Sequence, residues 1–161
     1  MPGVQFSLES KNQIINTYRN VVRWSVDEFW RQLLVKADLK DTLIIYTSDH
    51  GQNLMDDPDL MTHCNVQRSI PQEALVPLLI YGGNSSLITR LQQTASQNFG
   101  HSSHFQIFPT LLFFLGYDQQ MTNSQYGPDL LTKSSDKLEY TTGSIAPGLG
   151  HRLRWFPALN P

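Results

Sequence analysis

Cysteine is almost absent: Cys64 is the only one in 161 residues, which excludes an internal disulfide and a cysteine-only zinc site. Charge is sparse too, at 16% of residues, and the formal net charge of −2 offers no basic excess to draw the chain to nucleic acid or an anionic membrane. No apolar run approaches the roughly 20 residues of a membrane helix. The longest, "FPTLLFFLGY", is short and contains Pro109. The opening "MPGVQFSLES" has neither the basic start nor the apolar core of a signal peptide. There is no Ser-His-Asp order, no P-loop or dinucleotide glycine fingerprint, and no basic, aromatic-interleaved patch for nucleic acid. What these absences leave is a soluble globular chain, long enough to bury a core of its own.

Apolar positions supply the framework. Ile15, Tyr18, Val22, Val26, Phe29 and Leu33 recur at steps of three and four within Asn12–Asp38, which predicts one long helix lying along a sheet. Thr42–Ser48 is apolar on both faces and reads as a central, covered strand. "LVPLLIYGG" is a second buried strand stopped by Gly82 and Gly83. The polar stretch between the two is too long for a mere connection. "SSLITRLQQTAS" predicts a short helix capped by Ser85 or Ser86. His104–Leu115 predicts another, with Pro109 early in it and Gly116 just past its end. Regularity fades from Tyr117, with a hairpin expected around Leu138–Ile145.

Chemistry gathers where the first strand ends, in "TLIIYTSDHGQN". Ligands collect at the carboxyl ends of strands in α/β sheets. Asp49 and His50 combine carboxylate and imidazole, a pairing that suits zinc or manganese, and Gly51 lets backbone approach closely. A capped turn with a positive-φ glycine and a surface histidine is the plainer alternative. His63, in the long loop, is either a solvated histidine or a group folded back over the strand end to hold an anionic oxygen. His101 and His104 precede a helix, where Ser102 or Ser103 is the expected cap. His151 reads as surface. Asp56, Asp57 and Asp59 lack the spacing of a calcium loop and read as a solvated turn. "NSS" at Asn84 is a glycosylation sequon only in a eukaryotic secretory setting.

Taken in order, "NTYRNVVRWSVDEFWRQLL", "TLIIYTSDHGQN", "THC", "VPLLIYG", "SHFQIFPTLLFFLGY" and "YGPDLL" resemble the C-terminal part of the sulfatase-like branch of the alkaline phosphatase superfamily. Bacterial membrane-anchored phosphoethanolamine transferases and lipoteichoic acid synthases are the members it looks most like. The resemblance spans about Asn12 to Leu131. It implies metal-assisted attack on a phosphate or sulfate ester by an activated Thr, Ser or formylglycine. By position, Asp49 and His50 match paired metal ligands, and His63 matches the histidine that contacts the transferred group or leaving oxygen. His50 favours zinc or manganese over calcium. Cys64 and Arg68 have the four-residue spacing found around the formylglycine precursor, but Val66 and Gln67 depart from that signature, and Cys64 is not taken as the nucleophile.

The resemblance also implies an α/β fold: a partial alkaline-phosphatase-like sandwich, its central sheet mostly parallel with flanking helices, truncated on the N-terminal side. Residues 1–116 are then the C-terminal portion of a catalytic domain, and 117–161 an extension packed on it. Nucleophile and first acidic ligand come, in the family, from strands ahead of the long helix. The expectation is a fragment that contributes part of a metal site to a hydrolase or transferase and is inert alone. A non-catalytic binding module of the same fold is the alternative. Expected partners are a phosphate or sulfate ester, lipid- or glycan-linked, the other half of the domain, and a second copy through an open sheet edge. The parent is expected at the inner membrane with its catalytic domain facing the periplasm or outside.

Overall fold

The computed structural model describes residues 7–59, 62–65, 67–82, 86–143 and 153–158. Gly83, the Asn84 sequon, Ser85, Val66, Ile145 and His151 lie outside the described residues. The chain is α/β, as expected. Helix α1 is Lys11–Lys36, strands β1 and β2 are Leu43–Thr47 and Leu78–Gly82, and helices α2, α3 and α4 are Ser86–Asn98, Ile107–Phe114 and Gln119–Tyr126. Strands β3 (Glu139–Thr142) and β4 (Arg154–Pro157) close the order. Two compact units form: one draws on Met1–Leu39, Ile45–Ile80 and Tyr140–Pro161, the other on Lys40–Ile44 and Tyr81–Glu139. Among the described residues no helix is long and apolar enough to cross a membrane.

The sheets depart from expectation. A mostly parallel central sheet was implied; the described strands pair two by two, β1 with β2 and β3 with β4, each antiparallel. Every residue of β1 is half-buried, and β2 alternates half-buried with exposed rather than reading as covered on both faces. A strand with one neighbour has nothing to cover its other edge, so apolar composition alone does not bury it. The hairpin expected around Leu138–Ile145 is replaced in part: β3 begins there, but its partner is the distant β4.

In the first unit the long helix forms as its periodicity predicts, starting one residue and ending two residues earlier than expected. Only Ile14 on it is fully buried. Its contact with the strand is aromatic: Trp30 meets Tyr46 edge-on at 5.7 Å between ring centres, and Phe29 lies 6.5 Å from the same ring. The expected apolar face is otherwise only partly covered, since Tyr18, Val22 and Phe29 remain exposed.

The second unit is organised around a polar segment. Asp129 is fully buried, with Leu130 and Leu131 beside it. Lacking a strand ladder, the backbone here is satisfied by side chains, which is how a buried irregular segment escapes the cost of unpaired amides. The Leu130 N–H donates to Thr110 Oγ1 at 2.9 Å, and the Leu130 carbonyl accepts from Thr94 and Asn98. Gln106 reaches the Asp129 carbonyl at 3.2 Å. Helix α4 was not foreseen in a region read as irregular. Its signals are Asp118, whose carboxylate accepts the Met121 N–H at 2.7 Å, and Gly127 at φ 88° after its last turn. The α3 expectations hold: Pro109 lies in its first turn and Gly116 follows its end at φ 91°. Ser103 caps the 3-10 turn His104–Gln106 that leads into α3, its N–H held by Gln106 Oε1 at 3.1 Å.

Strand β3 is tied to the long loop by Tyr140, whose hydroxyl donates to Ser69 Oγ at 2.9 Å. Burial raises the Tyr140 pKa, against the Ser69 bond and with the help of the Glu73 charge. A phenol with a raised folded pKa contributes stability that is fully present below its unfolded value, about 10, and lost as pH rises through the folded value. Tyr140→Phe should therefore cost about 0.5–1 kcal/mol at neutral pH and flatten the alkaline limb of a plot of Tm against pH. An unchanged limb would show that another group governs it.

Candidate metal centre

Strand β1 runs directly into Asp49, His50 and Gly51. Gly51 is not in the positive-φ set, so the plain-turn reading of this glycine fails and the close-approach reading holds. A Cβ placed on it would lie 2.1 Å from the Gln72 carbonyl oxygen and 3.0 Å from that of Leu75. The strand end is pinned there by the Gly51 N–H, which donates to the Glu73 carbonyl at 2.7 Å.

This pinning exposes both donor groups. Asp49 Oδ1 accepts the His50 N–H at 2.9 Å. That bond first, and the neighbouring imidazole second, hold the Asp49 carboxyl below its usual pKa. It is therefore ionised under ordinary conditions, as a metal ligand must be. His50 Nδ1 lies 2.7 Å from the Gly51 carbonyl oxygen. A carbonyl only accepts, so Nδ1 carries the proton and the Nε2 lone pair is left free, the tautomer that outer hydrogen bonds impose on ligating histidines. His50 Nε2 and Asp49 Oδ1 stand 3.9 Å apart. Two ligand atoms of a tetrahedral ion, each bonded at about 2.0–2.1 Å, are roughly 3.4 Å apart. The donor set thus fits two positions of a divalent ion after a small closure. Among the described residues no group of three or more His, Cys, Asp or Glu side chains converges to hold one.

The loop brings His63 back to the strand end, one of the two arrangements the sequence left open. Its ring stacks on that of His50 at 4.2 Å between centres and 17° between planes. Imidazole lone pairs lie in the ring plane, so two nearly parallel rings direct theirs side by side rather than onto one ion. His63 Nδ1 lies 3.2 Å from Thr62 Oγ1. His101 and His104 belong to the other unit, both exposed.

The organiser of this loop escaped sequence reasoning. Asn53 is buried, and its side chain accepts the Asp56 and Asp57 N–H groups and donates to the Asp57 carbonyl. The Asn53 N–H donates to the Thr62 carbonyl at 2.7 Å, closing the loop just before His63. Of the loop acids, Asp56 and Asp59 are exposed as expected, while Asp57 is half-buried and pairs with Arg68 at 2.9 Å; Asp56 lies 3.7 Å from Lys11. Cys64 is a free, exposed thiol at φ 63°, a strained backbone for a residue with a Cβ. An Asn two residues past an Asp-His-Gly was the one available signal, since Asn is the side chain that most readily folds back on loop amides.

A family model described as Sulfatase matches residues 2–117, well over half of the chain. No curated protein and no solved structure matches it.

Proposed function

The chain belongs to the sulfatase family, whose members are divalent-metal hydrolases of sulfate and phosphate esters, and on that premise we propose that Asp49 and His50 are two of the ligands of the catalytic ion. The observation that carries the reading is the pair of exposed acceptor atoms, Asp49 Oδ1 and His50 Nε2, 3.9 Å apart at the end of a strand. When bound, the ion supplies a Lewis acid to the ester oxygen. The ligand nitrogen favours zinc or manganese over calcium, which takes oxygen donors. His63, stacked on His50 with its lone pair directed elsewhere, holds the transferred group or protonates the leaving oxygen. The resemblance puts the nucleophile on a strand ahead of α1, and the reading gives Asp49, His50 and His63 the metal and leaving-group roles. The same resemblance favours transfer or hydrolysis of a lipid- or glycan-linked phosphate ester by a membrane-anchored parent facing the periplasm or outside.

Paramagnetic manganese tests the assignment residue by residue. Substoichiometric Mn2+ should broaden the amide signals of residues 48–51 and the His63 ring first, leaving Asp56–Asp59 and His101 sharp until higher concentrations. Broadening centred on the loop acids instead would move the ion away from Asp49 and His50 and overturn the reading.

A further inference from the structure

Glu73 is 5% exposed, unusual for an acid that pairs with no basic side chain among the described residues. It ends the 3-10 turn Pro71–Glu73 and is tied to two separate segments. Its backbone carbonyl accepts the Gly51 N–H at 2.7 Å. Its carboxylate Oε1 accepts from Asn65 Nδ2 at 2.8 Å. Gly51 follows His50 directly, and Asn65 lies two residues past His63, so one residue joins the two segments whose imidazoles stack.

The other carboxylate oxygen, Oε2, is buried and has no hydrogen-bond partner among the described residues. A buried carboxylate with half its acceptors unmet is a poor source of stability; an amide or an apolar side chain of similar volume would serve the core as well or better. Stability alone does not account for an acid here, and the two-ended connection does.

We propose that Glu73 is a positioning residue that sets the spacing and parallel stacking of His50 and His63. Its functional weight rests on the reading of Asp49, His50 and His63 as a metal and substrate site. The Asn53-to-Thr62 bond closes the same loop on its other side. Of the two ties Glu73 makes, the one to Asn65 runs through its side chain, and so is the one that a substitution isolates.

Stacked rings shift each other's protons upfield, a signature that fold stability alone does not produce. Histidine ring protons are observed by NMR at neutral pH with no metal added, in wild type, Glu73→Gln, Glu73→Ala and Asn65→Ala. Amide signals of α1, which belongs to the same unit, serve as the fold control. Wild type should show the upfield displacement on both rings. Glu73→Gln, which keeps an acceptor for Asn65, should retain it, and Glu73→Ala and Asn65→Ala should lose it with the control signals unmoved. Asn65→Ala leaves the backbone tie to Gly51 intact and decides the matter if Glu73→Ala does not fold. Displacement absent from wild type, lost in Glu73→Gln, or preserved in Asn65→Ala overturns the proposal. Zinc added last to the wild-type sample reports separately on the metal reading: a perturbed His50 ring supports it whichever way the Glu73 variants fall.

Discussion

Asp129→Ala should cost about 3–4 kcal/mol, the largest loss expected from any single substitution in the second unit. The side chain is fully buried and serves three donors. Oδ2 accepts from Gln119 Nε2 at 2.7 Å, while Oδ1 accepts from the Leu131 N–H at 3.1 Å and the Thr132 hydroxyl at 2.8 Å. Alanine strands the buried Leu131 N–H and leaves the half-buried Gln119 and Thr132 groups without their acceptor, and each buried unmet donor costs about 1–3 kcal/mol. Asp129→Asn should be milder. It still accepts at Oδ1 but turns an NH2 toward the Gln119 amide, which must flip and give up its bond to Arg90 at 3.3 Å. Hydrogen exchange of the α3 and α4 amides measures the effect locally, since loss of a unit's stability shows as faster exchange of its most protected amides. Exchange unchanged in Asp129→Ala would mean that the segment's backbone bonds hold it without the carboxylate.

The second large effect belongs to the strand end. Gly51→Ala places a methyl 2.1 Å from a backbone oxygen, and backbone cannot rotate away as a side chain can. Either β1 or the Pro71–Glu73 turn must move. Overpacking of this kind costs about 2–3 kcal/mol, and the movement breaks the 2.7 Å bond from Gly51 to Glu73. Because the same bond orients the His50 ring's neighbours, zinc affinity should fall by at least about tenfold, the usual loss when an outer support of a ligand is removed. Thermal unfolding and zinc binding measured on one sample separate the two losses. A variant with wild-type Tm and wild-type affinity would show that the turn yields freely and that the close approach is incidental.

What could be read in the sequence was local. The three-and-four spacing of α1, the apolar run of β1 leading into Asp-His-Gly, and the Pro109 and Gly116 boundaries of α3 all depend on near neighbours along the chain. Helix α4 was missed because "QQMTNSQY" offers no apolar period; its evidence lies only in its caps. Sheet extent was misjudged because a two-faced apolar strand reports what could be covered, not which neighbours cover it. Asp49, His50 and His63 were legible as residue types. Their stacking was not, because it depends on Glu73 and Asn53. An acid or amide in a polar loop is solvated by default, and only contacts across more than twenty positions of sequence, Gly51 to Glu73, bury this one. Asp129 was invisible because its segment is held by side chains from outside it: Gln119 of α4 on its carboxylate, Gln106 on its carbonyl, and Thr94, Asn98 and Thr110 on Leu130.

The central claim, that Asp49 and His50 are ligands of a divalent ion, is tested most directly by calorimetric titration of the chain with zinc, wild type against the Asp49→Ala/His50→Ala double variant. The account predicts saturable binding near one equivalent in wild type, weak because two ligands do not complete a site, and its loss in the variant. Binding of equal strength in both proteins, or none in wild type, would contradict it.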